Sequence, residues 1–128
     1  MTIEPKRMPM RRILLAEDDD SMRGFLERAL DKAGYEVIAF DNGEEAYARL
    51  LQEPFTLLLT DIVMPRMDGI ELARRASEVD PELKIMFITG FAAVILNTDV
   101  AAAREAKVLS KPFHLRDLVN EVDRLLTA

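Results

Sequence analysis

The chain has no cysteine, no tryptophan, one histidine and five glycines in 128 residues. Without cysteine there can be no disulfide, no thiolate zinc site and no cysteine nucleophile, a composition that fits a reducing cytosol. Long apolar runs are also missing. None approaches the roughly 20 residues of a membrane span, so no membrane contact is expected and the expected location is the cytoplasm. Positive charge is in deficit: 17 Lys and Arg against 23 Asp and Glu leave a net charge of -6, which argues against nucleic acid as a direct partner. The lone histidine, His114, reads as a first-turn helix residue and not as a phosphate donor or ligand.

What is present is apolar side chain. Hydrophobic residues make up 49%, enough for one core in a chain of single-domain length. Residues 1–11 are basic, contain proline and lack periodicity. They also lack the apolar segment of a signal peptide. They read as a disordered tail ahead of one domain over residues 12–128, with Met10 as an alternative translation start.

Five short runs rich in Val, Ile, Leu and Phe predict strands over Arg12–Ala16, Glu36–Phe40, Thr56–Thr60, Lys84–Ile88 and Lys107–Ser110. Helical spacing lies between them. Met22, Phe25, Leu26, Ala29, Leu30 and Ala33 form the first stripe, capped by Asp20 or Ser21 and stopped by Gly34. A second helix is expected from Gly43 to Gln52, with Ala46, Tyr47, Leu50 and Leu51 inward and Pro54 barring its continuation. A third is expected over about Asp68 to Glu78, and Phe91 to Arg104 is read as helix. Leu115, Leu118, Val119, Val122, Leu125 and Leu126 mark the last. Alternating strands and helices imply an α/β fold, a parallel sheet with helices on both faces.

In such sheets ligands bind beyond the carboxyl ends of the strands. Here those ends carry chemistry. Ile13–Ala16 runs into Glu17 and Asp18, Phe55–Thr60 into Asp61, Ile85–Ile88 into Thr89, and Val108–Ser110 into Lys111 and Pro112. Three acids brought together repel one another unless a cation joins them. Mg2+, or Mn2+ in its place, suits carboxylate, carbonyl and phosphate oxygens. Asp18 and Asp61 are the expected direct ligands, Glu17 acts through water, and the Val63 carbonyl supplies a further oxygen. Asp61 is the candidate nucleophile toward phosphorus. Pro65 and Gly69 shape the loop behind it, and Asp68 caps the next helix. Lys111 would neutralise phosphoryl oxygens and pair with Asp61 when the site is empty. Thr89 offers a hydroxyl to the same oxygens, and Lys111–Pro112 is a candidate cis peptide.

Glu17-Asp18, Asp61 with Met64-Pro65 and Met67-Asp68-Gly69, Thr89, and Lys111-Pro112 together resemble the receiver domain of bacterial two-component response regulators, over nearly the whole chain from Arg12. The resemblance implies a doubly wound, flavodoxin-like sheet of strand order 2-1-3-4-5. It also implies phosphoryl transfer to Asp61, with magnesium, from a sensor histidine kinase or histidine phosphotransferase. The stretches around Leu58–Pro65, Lys84–Ala93 and Lys107–Val119 are similar to the CpdR type of stand-alone receivers from alphaproteobacteria, a group associated with ATP-dependent Clp proteolysis. Output is then expected by contact with another protein, from a monomer or a weak phosphorylation-dependent dimer. The expected surface is Phe91, Val94, Ile95, Leu96 and Val108.

Three other readings compete. A phosphatase or mutase with an Asp nucleophile needs a general acid two residues on, where Val63 stands, so at most self-catalysed phosphorylation and dephosphorylation is expected. A flavin carrier needs a hydroxyl- and glycine-rich phosphate loop after the first strand, where this chain has acids. A degenerate receiver, binding partners without phosphorylation, would lack some of these side chains. One departure from the family pattern has a consequence. Val108 stands three positions before the lysine, where receivers carry an aromatic switch residue, and Phe91 is the candidate to replace it. Phe91→Ala is expected to weaken phosphorylation-dependent partner binding while leaving phosphoryl uptake intact. Parallel binding and uptake assays check this, and unchanged partner affinity would count against it.

Overall fold

The computed structural model describes residues 11–90 and 98–127. Five strands, β1 (Arg12–Ala16), β2 (Glu36–Phe40), β3 (Leu57–Asp61), β4 (Lys84–Thr89) and β5 (Lys107–Ser110), form one parallel sheet in the order β2-β1-β3-β4-β5. The described helices are α1 (Asp20–Lys32), α2 (Gly43–Leu50), α3 (Gly69–Val79), α4 (Ala101–Glu105) and α5 (Leu115–Thr127). This is the doubly wound architecture expected from the alternating pattern.

Side chains alternate across a strand, and both faces of the sheet are covered. Leu14, Ala16, Leu58, Ile85 and Phe87 pack with Ala46 and Leu50 of α2 and Leu72, Ala73 and Ala76 of α3. Ile13, Leu15, Leu57, Leu59, Met86 and Ile88 pack on the other face with Leu26 and Leu30 of α1 and Leu118, Val122 and Leu126 of α5. The central strands are therefore apolar on both sides, and each fully buried aliphatic side chain contributes about 1.5–3 kcal/mol.

Several local details differ from the sequence-based expectation. Asp19, not Asp20 or Ser21, caps α1: its backbone is extended and its Oδ1 accepts the Met22 amide at 2.8 Å. Phe25 is 50% exposed because it lies at the edge of the stripe, where the Arg28 guanidinium covers its ring at 5.2 Å. α2 ends at Leu50. Leu51, expected inward, is 59% exposed: it follows the last residue of α2, at the margin of the apolar stripe. Leu115 is partly exposed at the start of α5. β3 lies one residue later than expected, so that Asp61 is itself the last strand residue, and β4 runs on to Thr89.

Of the helix expected over Phe91 to Arg104, residues 91–97 lie outside the described residues. Thr98 to Val100 are not helical, and α4 covers Ala101–Glu105. His114 precedes α5, and its carbonyl accepts the amides of Asp117 and Leu118. Residues 1–10, most of the expected tail, also lie outside the described residues.

Two glycines answer to different constraints. Gly34 ends α1 with φ +102 and open space around it, so a side chain there meets only the left-handed penalty of about 1–2 kcal/mol. At Gly69 a Cβ would lie 2.0 Å from the Asp61 carbonyl oxygen and 2.9 Å from Ile62 Cα. Gly69→Ala is therefore expected to cost about 3 kcal/mol or more, and Gly34→Ala about 1 kcal/mol. Urea unfolding of the two variants checks the order, and equal losses would contradict it.

Candidate functional site

Strand register assembles the site. β1 pairs with β3 so that Ala16 faces Thr60, and the next residues, Glu17 just past β1 and Asp61 at the end of β3, stand side by side at the sheet's edge. β4 and β5 pair with Thr89 opposite Ser110, which brings Lys111 past the same edge. The carboxylates of Glu17, Asp18 and Asp61 have oxygens all within 4.8 Å of one another. Lys111 Nζ donates to Glu17 Oε1 at 2.9 Å and to Asp61 Oδ2 at 2.8 Å. Thr89 is buried at the end of β4, and its carbonyl accepts the Lys111 amide at 2.8 Å. The Lys111–Pro112 peptide is cis.

Burial sets the electrostatics. Glu17 is fully buried and Asp61 nearly so, while Asp18 is exposed. Loss of water pushes the Glu17 carboxyl up to about 7; the Lys111 hydrogen bond opposes this and the Asp61 charge adds to it. For Lys111, burial works against the ammonium, but the hydrogen bonds to Asp61 and Glu17 outweigh it and hold the group above the ordinary lysine value.

Asp61 is held from behind. Its Oδ1 accepts the Ile62 amide at 2.6 Å, Thr60 Oγ1 donates to the Asp61 carbonyl at 2.8 Å, and Gly69 N donates to Ile62 O at 2.7 Å. Asp68 caps α3 by accepting the Glu71 amide at 2.8 Å. The loop between β3 and α3 also leans on α2. Arg66, with φ 69, pairs with Glu44 at 3.2 Å, and Gly43 lies against Met67, where a Cβ would meet the carbonyl oxygen at 2.3 Å.

The donor set fits a hard cation. All three side chains offer oxygen, and two ligands on opposite sides of Mg2+ lie about 4.2 Å apart at its usual bond length of about 2.1 Å, close to the spread seen here. Exposed Asp18 leaves an open side. Every buried side-chain nitrogen and oxygen among the described residues has a partner, so the ion-free pocket is internally satisfied through Lys111.

Glu17, Asp18, Asp61, Thr89 and Lys111 thus meet at one edge. Val63 follows Asp61 in the loop with its side chain 55% exposed. Val108 is partly buried and packs toward the α2–α3 side of the core, while Phe91, Val94, Ile95 and Leu96 lie outside the described residues. Asp99 is exposed. Two contributors escaped the sequence reading. Thr60 looked like an ordinary strand residue but anchors the Asp61 carbonyl. Arg23 donates to the Glu17 carbonyl at 2.9 Å, and its only sequence signal was its place one turn beyond an acidic run. A groove at the opposite end of the sheet, lined by Leu83, Ile85, Ala101 and Leu125, carries mixed charges such as Lys84, Lys107, Glu82 and Glu105 and no convergent donor set.

A doubly wound sheet thus carries an acidic triad, a buried threonine and a bridging lysine at one edge. The family model described as "Response regulator receiver domain" matches residues 13–123, and the chain belongs to that family, the receiver domains of two-component response regulators. Over 119 residues it is 74% identical to the "Response regulator receiver protein CpdR" of Brucella abortus, covering 93% of this chain and 99% of that protein. It is 33% identical to the "Sensor kinase CckA" of the same organism over 117 residues, 89% of this chain but 12% of the kinase. Among solved structures, the response regulator TrrA of Thermotoga maritima, determined in complex with Mg2+ and BeF, superposes with a TM-score of 0.82 at 29% identity and covers 91% of this chain and 100% of that one. Phosphorylation by sensor kinases and use of Mg2+ are general to the family.

Removing Lys111 strands two poorly hydrated carboxylates. Lys111→Met is expected to destabilise the ion-free protein by about 2–4 kcal/mol, whereas Asp61→Asn, which relieves the crowding, costs less than about 1 kcal/mol. Thermal unfolding in chelator, repeated with millimolar Mg2+, checks this. Mg2+ should restore part of the Lys111→Met loss, and a Lys111→Met protein as stable as the parent would refute the assignment.

Proposed function

We propose that the protein accepts a phosphoryl group on Asp61 in a magnesium-dependent, cytoplasmic phosphorelay and signals by switching a protein-binding surface. The convergence of Glu17, Asp18 and Asp61 on the Lys111 ammonium carries this reading. In the transfer step an Asp61 carboxylate oxygen bonds to phosphorus as the bond from phosphorus to the donor's histidine nitrogen breaks, and the nitrogen keeps the electron pair. Asp61 Oδ1 accepts from the Ile62 amide. Oδ2, whose partner is the mobile end of a lysine side chain, is the oxygen better placed to change partner. Lys111 would then follow the charge from the carboxylate to the phosphoryl oxygens, with Thr89 supplying a hydroxyl. When bound, a divalent cation held by Asp18, Asp61 and the Val63 carbonyl, with Glu17 through water, screens the phosphoryl charge.

The group adds a charge of about -1.5 to -2 and three acceptor oxygens, and capturing them draws on Thr89, the last residue of β4, and Lys111, the residue after β5. That shift is the proposed switch, read by a partner at Phe91, Val94, Ile95, Leu96 and Val108, with Phe91 standing in for the missing aromatic. The 74% identity to Brucella CpdR over nearly both lengths supports a receiver of that type, and the downstream process proposed on the resemblance is ATP-dependent Clp proteolysis. Turnover of outside phosphoesters is disfavoured by apolar Val63 at the place of a general acid. A phosphorylation-independent module is disfavoured because the acceptor, the acids, the threonine and the lysine are all present.

Incubation with acetyl phosphate and Mg2+ is expected to add one phosphoryl group by intact mass, with none on Asp61→Asn and none in chelator. Equal labelling of Asp61→Asn would place the acceptor elsewhere and end the proposal.

A further inference from the structure

Arg23 sits where local physics disfavours it. It is the fourth residue of α1, inside the first turn, where the helix dipole repels a cation by about 0.3–1 kcal/mol. Two bonds hold it there. Nη2 reaches Asp20 Oδ1 at 2.6 Å, but that carboxylate is 86% exposed, and a surface pair of this kind is worth little. Nη1 donates to the Glu17 carbonyl at 2.9 Å, from a side chain only 21% exposed.

The residue it grips begins the acidic loop. Glu17 N is bonded to Phe40 O at 3.0 Å, its Oε2 accepts the Asp19 amide at 3.3 Å, and Asp19 in turn caps α1. Arg23 closes this set by tying the Glu17 carbonyl to the helix. Asp18 therefore lies between two residues whose backbone and side chains are fixed, and its carboxylate completes the cluster with Glu17 and Asp61.

We infer that Arg23 is a positioning residue: by holding the Glu17 carbonyl it fixes the β1–α1 loop and thereby sets how tightly the Glu17–Asp18–Asp61 cluster takes a divalent cation. The inference rests on the metal-assisted reading given above. It opposes two physical effects of known sign. Removing a nearby positive charge would by itself tighten binding of a cation, whereas loosening the donors weakens it. Partners one shell out from metal ligands typically control affinity by 10- to 100-fold, so loosening should win.

The test is calorimetric titration of the full chain with Mg2+ alone, for wild type, Arg23→Ala, Arg23→Lys and Asp20→Asn. Arg23→Ala is expected to raise Kd about ten-fold, Arg23→Lys to fall between it and wild type, and Asp20→Asn to change Kd less than about two-fold. Amide exchange of Asp19 in the metal-free protein should quicken in Arg23→Ala and not in Asp20→Asn. Phosphoryl uptake from acetyl phosphate by Arg23→Ala should lag at low Mg2+ and come within two-fold of wild type at saturating Mg2+, a split that general damage to the fold would not produce. Should Arg23→Ala fail to fold, Arg23→Lys carries the same comparisons. An Arg23→Ala protein that binds Mg2+ as tightly as wild type or tighter, with Asp19 exchange unchanged, overturns the inference while leaving the metal-assisted reading intact. A wild type that binds no Mg2+ overturns both.

Discussion

The structure depends on a repulsion. Two strands that neighbour each other in the sheet each end in an acid, so Glu17 and Asp61 are forced to the same rim with Asp18 beside them. Buried carboxylates so close together are tolerable only with positive charge between them. In the ion-free state that charge is Lys111, delivered from the far side of the sheet by β5. The fold accordingly places a strong internal electrostatic demand at the carboxyl edge of the sheet. A metal ion would answer the same demand in a different way and a phosphoryl group would enlarge it, and this makes the edge chemically responsive.

The scaffold around this edge is stiff by construction. β1, β3 and β4 are covered on both faces, and close-packed cores do not deform continuously. Asp61 inherits that stiffness as the last residue of β3. Its carbonyl, its own Oδ1 and the following carbonyl are each bonded within the same strand and loop. Lys111 arrives on a partly exposed side chain with several torsions. Asp61 is thus fixed and its counter-charge can move.

Much of this was legible in the chain. Five apolar runs alternating with helical spacing gave away the parallel sheet, and the polar residues that follow four of them meet at one rim. What eluded the sequence were choices between near-equivalent neighbours. Asp19, Asp20 and Ser21 are all good caps, and only the backbone angle at Asp19 decides among them. Phe25 and Leu51 lie at the margins of apolar stripes, where apolar spacing alone does not decide between burial and exposure. Thr60 and Arg23 act through main-chain carbonyls, which no side-chain pattern reveals. The reading of Phe91 to Arg104 as one helix met its limit at Thr98 to Val100, whose polar residues favour local turns over helix.

The loop that follows Asp61 is built in a way that bears on motion. After β3, the chain is wedged between two bare backbones: Gly69 abuts the Asp61 carbonyl, and Gly43 of α2 abuts the Met67 carbonyl. The pocket therefore has a rigid wall behind Asp61, and a displacement set off at its centre meets resistance on that side. A stimulus without direction, such as added charge, would in this way acquire a vector from the masonry around it.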